Sequence, residues 1–281
     1  MTVSTFVLAA TLSGCALAAP AAAPASPARA DASTRTGVSP RAAPPAAASP
    51  VPATSRQMLL VTTDAWAATT GRLQRYERSG AAWRAVGAPV ETVVGRAGLG
   101  WGRGLHTAAD ARPGDPDKRE GDGRAPAGAF RLSAAFGYAP TEPTGLPYLP
   151  TDADTECVDD TASAAYNTVR ERTPADDWRS HEEMRLDAPI YRLGVVVAHN
   201  GPGVDVRLVP GAPRAPTVRG AGSCIFLHVW RTPTTATSGC TAMPDADLQA
   251  VLAWLDASAE PVLVQLPRAE AARLQSAWAL P

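Results

Sequence analysis

The chain has 281 residues, with 26 Lys and Arg against 27 Asp and Glu and a net charge of −1. That is enough for one domain of ordinary size with extensions and a full core. Near-neutrality excludes the strong positive field that nucleic acid or an anionic membrane selects, so neither is an expected partner on charge grounds.

In chain order, residues 1–19 are small and apolar and too short to span a bilayer as a mature helix. They read as an export segment. Leu12-Ser13-Gly14-Cys15 fits a lipobox that would place a lipid on Cys15, and Ala16-Leu17-Ala18 also fits a secretory cleavage site. Residues 20–56 are rich in Ala and Pro without apolar periodicity, and are expected to be a disordered tether. The globular part is expected over 57–267, with 268–281 as a tail.

Within it, Met58–Val61, Leu73–Glu77 and Val90–Val94 are short strand-like runs broken by Gly and Pro. Gly98–Gly104 lacks the Lys-Ser/Thr ending of a phosphate loop. The Asp-rich 151–160 segment lacks the spaced ligands and closing Glu of a calcium loop. A helix is expected over 159–170. Tyr191–Ala198 reads as a buried strand, Asn200–Gly203 as a hairpin turn, and Val204–Leu208 as a partner strand alternating at period two. Leu248, Val251, Leu252 and Leu255 follow helical spacing behind Asp245 and Asp247, whose charges suit a helix N-terminus. Val262–Leu266 returns as a strand. The fold class expected is mainly β with a few helices (α+β).

The chemistry concentrates late. The apolar run Ile225-Phe226-Leu227 delivers His228, and a Thr/Pro loop then leads to Thr237-Ser238-Gly239-Cys240. A free thiol with a pKa near ~8.5 supplies little thiolate, so a nucleophilic cysteine needs a base beside it. Gly239 permits a tight turn whose N–H groups, from Ser238, Gly239 and Cys240, can face a developing oxyanion. Cys240 is therefore the candidate nucleophile and His228 its candidate base. Trp230 and Arg231, in the loop between them, and His181, beside Trp178, are candidates for substrate contact. His106 and His199 are expected to be structural. With four cysteines in all, setting Cys15 aside leaves Cys157, Cys224 and Cys240. A Cys157–Cys224 bridge is compatible with an oxidising compartment, leaving Cys240 as the odd thiol. The alternative reading of Cys224, His228 and Cys240 as zinc ligands lacks a fourth ligand at useful spacing, so no metal is assigned.

These residues carry a resemblance. His228 with Thr237-Ser238-Gly239-Cys240 resembles the active-site signature of the L,D-transpeptidase (YkuD-type) catalytic domain. Gly121-Asp122-Gly123-Arg124-Ala125-Pro126-Ala127-Gly128-Ala129-Phe130 is similar to that family's upstream element. Glu156–Asp160 with Tyr166-Asn167, and Gly194–Asn200, resemble one branch of it. The His-to-Cys spacing is shorter than in many members, and Thr241-Ala242-Met243 lacks the arginine that often follows the cysteine. The resemblance implies a β-sandwich catalytic domain in the cell envelope that acts on peptidoglycan stem peptides through a thioester, without a cofactor. An L,D-carboxypeptidase, a non-catalytic peptidoglycan-binding protein and a cysteine peptidase are the alternatives.

Overall fold

Short β-branched and apolar runs separated by Gly and Pro form strands, and the computed structural model, which describes residues 49–209 and 216–281, contains fourteen of them among those residues. They are β1 (Gln57–Thr63), β2 (Thr70–Ser79), β3 (Ala82–Val93), β4 (Leu99–Trp101), β5 (Ala125–Gly137), β6 (Tyr148–Pro150) and β7 (Thr155–Val158). Then follow β8 (Thr168–Glu171), β9 (His181–Glu183), β10 (Leu193–Val197), β11 (Gly203–Val204), β12 (Phe226–Val229) and β13 (Thr241–Met243). Helix α1 (Asp245–Trp254), β14 (Val262–Pro267) and helix α2 (Arg268–Trp278) close the chain. Cys15, the export segment and the tether up to residue 48 lie outside the described residues.

The main sheet runs β10-β12-β13-β3-β2-β1-β14-β5, with β4 and β6 also paired to β5. Long β5 closes the path. Its Gly128–Arg131 stretch pairs with β14, and Leu132–Gly137 pairs with β10. One strand thus serves both layers of a sandwich-like body. Leu59, Leu73, Phe130, Val195 and Leu227 fill the interior with Leu248, Val251 and Leu252 of α1. A second sheet, β11-β8-β7-β9, packs on the β10–β12 side through Val169, Met184, Tyr191, Phe226 and Cys240. The Cys157–Cys224 disulfide, from β7 to the residues entering β12, joins the two sheets.

Four local expectations change. Residues 159–170 are turns followed by β8, because Asp160 Oδ1 and Ser163 Oγ accept the amides of Ala162 and Ala165 at 2.8 and 3.0 Å. Side chains that capture nearby amides this way compete with a helix. Val204–Leu208 is a strand only at its start. The Leu208 and Val209 amides both turn back onto the Asp205 carbonyl, which closes a turn. Asn200–Gly203 does not close a hairpin, since β10 lies in the main sheet while β11 pairs parallel with β8. Residues 268–281 are no tail. Leu274 and Trp278, one helical turn apart, bury against Met58, Val264 and Leu266.

The boundary of the tether also moves. Val51 is 3% exposed, Ser49 Oγ donates to the Trp278 carbonyl at 2.8 Å, and the Arg56 amide bonds to Ala259 O at 2.7 Å. Residues 49–56 belong to the domain. Burying one valine contributes about 1.5–3 kcal/mol, and each kcal/mol shifts the melting temperature of a domain this size by roughly 2–4 °C. A chain beginning at residue 57 should therefore melt roughly 3–12 °C below one beginning at Ser49. Equal melting in calorimetry would show that the segment contributes nothing.

Candidate active site

Strands β12 and β13 run parallel with Leu227 opposite Thr241 and His228 opposite Ala242. Side chains alternate across a strand, so this register sets Cys240, just before β13, on the same face as Phe226 and His228. The Phe226 amide donates to Cys240 Sγ at 3.3 Å, and the thiol donates to the Cys224 carbonyl at 3.3 Å. His228 Nδ1 lies 2.8 Å from the Val229 carbonyl. A carbonyl only accepts, so Nδ1 carries the proton and Nε2 keeps its lone pair. That carbonyl orients the imidazole, and the Ile190 carbonyl also acts on the ring. The edge of Tyr191 also stands on the His228 ring, with centroids 5.2 Å apart at 86°.

Both groups are buried, at 6% exposure each, on the floor of a cleft of about 570 Å³. Burial pushes the Cys240 thiol well above its ordinary range, Glu182 adds to that, and the Phe226 amide and Lys118 oppose it. Burial also lowers His228 to about 4, against a pull upward from the Val229 carbonyl. The resting pair is therefore a neutral thiol and a neutral imidazole. It is not the ready-made thiolate that an activated cysteine suggests.

The turn before the thiol has donors to spare. The Gly239 amide is taken by Thr237 Oγ1 at 3.2 Å, while Thr237 Oγ1 donates to the Cys240 carbonyl at 2.6 Å. That takes Gly239 out of the three amides expected to face an oxyanion. A Cβ on Gly239 would lie 3.0 Å from the Arg124 carbonyl, so the close approach of the two loops favours glycine.

Of the other sequence candidates, Arg231 and Ser238 line the cleft. Trp230 does not. It faces a separate hollow with Asp64, Arg72, Glu91 and Arg268. His181 faces away as well, with Nε2 3.3 Å from Glu156, a buried carboxylate that also receives Arg172 and Trp178. On the other face of β9 its neighbour Glu182, opposite the bridged Cys157, lines the cleft, and Glu183 at the strand's end also borders it. His106 and His199 are structural: each accepts a backbone amide on Nδ1 and faces a carbonyl with Nε2. The zinc set is dissolved, because Cys224 is bound to Cys157. A larger cavity of about 850 Å³, lined by Trp101, Arg103, His106 and Arg219, includes neither Cys240 nor His228.

Several residues that build the site had no assigned role. Asn167 donates to the carbonyls of His199 and Asn200 at 2.9 Å and accepts the Cys224 amide at 3.1 Å. Asn200 donates to Val218 and Gly222. Tyr166 and Ser223 both donate to Glu120, at 2.5 and 2.6 Å. Together they clamp the chain that enters β12. Lys118, the only lysine, is buried at the cleft with Nζ 2.7 Å from Asp122.

A mainly β body holding a buried thiol and a buried imidazole on adjacent parallel strands defines the class of domain. Residues 65–264 match the YkuD family, the L,D-transpeptidase catalytic domain, and the chain belongs to that family of peptidoglycan enzymes. No curated protein matches the chain. Among solved structures, the helical cell shape determining protein Pgp2 from Campylobacter jejuni is similar at 13% identity with a TM-score of 0.34, over 76% of this chain and 48% of that one. This chain thus spans about half of Pgp2, and a likeness so loose carries no argument.

The buried histidines make stability depend on pH. Burial lowers His199 to about 3 and His228 to about 4, against about 6.5 in the unfolded chain. Between those values the unfolded chain binds more protons, so their contribution is present above pH ~6.5 and is lost as pH falls through that window. For His199→Gln, the melting-temperature deficit relative to wild type should shrink steadily from pH 7 to pH 4. A constant deficit would show that His199 does not titrate on unfolding.

Proposed function

We propose that this chain is an exported peptidoglycan L,D-transpeptidase in which Cys240 is the nucleophile and His228 its general base. The observation that carries the reading is the register of β12 and β13, which sets the thiol and a lone-paired imidazole on one face of adjacent strands. Because both groups rest neutral, the proton leaves Cys240 as sulfur attacks rather than before it. The thiol turns from the Cys224 carbonyl toward Nε2, and sulfur adds to the carbonyl that joins an L-centred diamino acid to a terminal D-amino acid. The Cys240 and Ser238 amides receive the oxyanion. The His228 imidazolium returns the proton to the leaving amine, giving a thioester and a free D-amino acid. The amine of a second stem then attacks the thioester, His228 again takes the proton, and a cross-link forms as Cys240 is released. Water in place of that amine makes the same site an L,D-carboxypeptidase.

Export is part of the proposal. A buried Cys157–Cys224 disulfide suits an oxidising compartment, and the expected lipid on Cys15 would anchor the domain beside its polymeric substrate.

Incubating the purified chain with tetrapeptide stems and following mass tests this reading. The wild type should release the terminal D-amino acid through an acyl-enzyme on Cys240. Cys240→Ala should abolish release with little change in fold, since only a small side chain is lost. His228→Gln should slow acylation by roughly 10²–10⁴-fold, the scale of a positioned acid–base group. Release by Cys240→Ala at the wild-type rate would overturn the mechanism, and cleavage of ordinary L,L-peptides would favour a peptidase.

A further inference from the structure

One charged group in the cleft works against the chemistry just described. Glu182 sits on β9 opposite Cys157, on the face turned toward the main sheet, and lines the same cleft as Cys240 and His228. Its carboxylate raises the energy of a thiolate at Cys240. A negative charge beside a sulfur that must become negative hinders attack, unless something positive arrives with the substrate.

Among the described residues only Lys118 eases a thiolate at Cys240, and its ammonium is already paired with Asp122. Among the described residues Glu182 forms no salt bridge, and Tyr191, which donates its hydroxyl to Oε2 at 2.7 Å, is neutral. The charges felt most strongly at Glu182 are those of Asp159 and Glu120, both negative. Burial first, and then those two carboxylates, push Glu182 up to about 7. The cationic side chains of the cleft are placed elsewhere. Lys118 is held by Asp122, and Arg231 and Arg96 belong to the main-sheet side near His228 and Thr237.

A second, independent feature of the same wall also lacks a donor. Asp159, one residue beyond β7, lines the cleft, and its Oδ1 is shielded from water with no hydrogen-bond partner. An acceptor left so costs free energy that a donor on a ligand would recover. Tyr191 keeps Glu182 from swinging out to solvent, because its ring is wedged against His228, Phe226 and Phe136.

We propose that Glu182, with Asp159 beside it, receives a substrate ammonium group, that of the diamino acid in the donor stem, and that Tyr191 is its positioning residue. This rests on the reading of the cleft as a stem-peptide acyltransferase site. The ammonium neutralises Glu182 as it binds, so the obstacle to the Cys240 thiolate falls only when the correct donor is present. The cationic side near Arg231 is left for the carboxylate end of the stem, and the opposed charges give the peptide one direction in the cleft.

The test compares two donor tetrapeptides, one with the free side-chain amine on its diamino acid and one with that amine acetylated, which removes the charge. Acyl-enzyme formation on the full chain is followed by intact-protein mass to give kcat/KM for each. The wild type should favour the free amine by about 10–100-fold, the scale of a charge-assisted hydrogen bond. In Glu182→Gln, which keeps an acceptor for Tyr191, that ratio should fall to within about threefold of unity, and in Glu182→Asp it should be largely retained. A wild-type enzyme that acylates with both stems equally, or a Glu182→Gln variant that keeps the wild-type ratio, overturns the inference and leaves the acyltransferase reading standing. A wild-type enzyme inert to both stems overturns that reading and the inference with it. The wild-type ratio alone decides the matter if the Gln variant does not fold.

Discussion

The parallel pairing of β12 and β13 is the constraint on which the site depends. Parallel neighbours cannot be joined by a tight turn, so the chain needs a crossover between Val229 and Thr241. Here the crossover has no helix. The loop is pinned to the end of β3 instead, with the Thr237 amide on the Val94 carbonyl and the Arg96 amide on the Thr237 carbonyl. That anchor delivers Cys240 opposite Phe226. A slip of one residue would turn either Cys240 or His228 to the other face and separate them. The short His-to-Cys interval is thus long enough, because β12 and β13 are immediate neighbours in the sheet.

A second body of the fold completes the cleft. The small sheet supplies Glu182 and Asp159, and it is joined to the main sheet by the Cys157–Cys224 bridge and by the shared core around Tyr191, Phe226 and Cys240. The same packing sets the electrostatics. Enclosing the thiol and imidazole raises the cost of charge on both, so each rests neutral. The clamp of Asn167, Asn200 and Tyr166 on residues 218–224 fixes the strand from which Cys224 offers its carbonyl to the thiol.

Much was legible in the sequence where the signal is local. Cys240 and His228 stood out because a thiol behind glycine and an imidazole ending an apolar run are readable without knowing what lies beside them. Strands β1, β2, β3, β10 and β14 and helix α1 followed from local apolar runs and spacing; β10 and β14 are continuous apolar runs because both of their faces are buried. Readings failed where hydrogen bonding outside the local pattern decided the outcome. Val204–Leu208 alternates like a strand, yet Asp205 gathers the amides that would have joined a ladder. Residues 268–278 carry only two large apolar side chains, and Leu274 and Trp278 needed the surface formed by β1 and β14 before their spacing meant burial.

By itself, then, the sequence determined a mainly β domain with one candidate nucleophile and one candidate base, because those properties depend on residue type and short-range spacing. Tertiary structure alone decided which side chains share the cleft. His181 and Glu182 are adjacent and equally polar, and nothing local separates them. Only the register of β9 on β7 turns the first toward Glu156 and the second toward Cys240. Trp230 and Arg231 divide in the same way. The protonation states of the thiol and imidazole were also beyond the sequence, because they follow from burial, a property of neighbours distant in the chain.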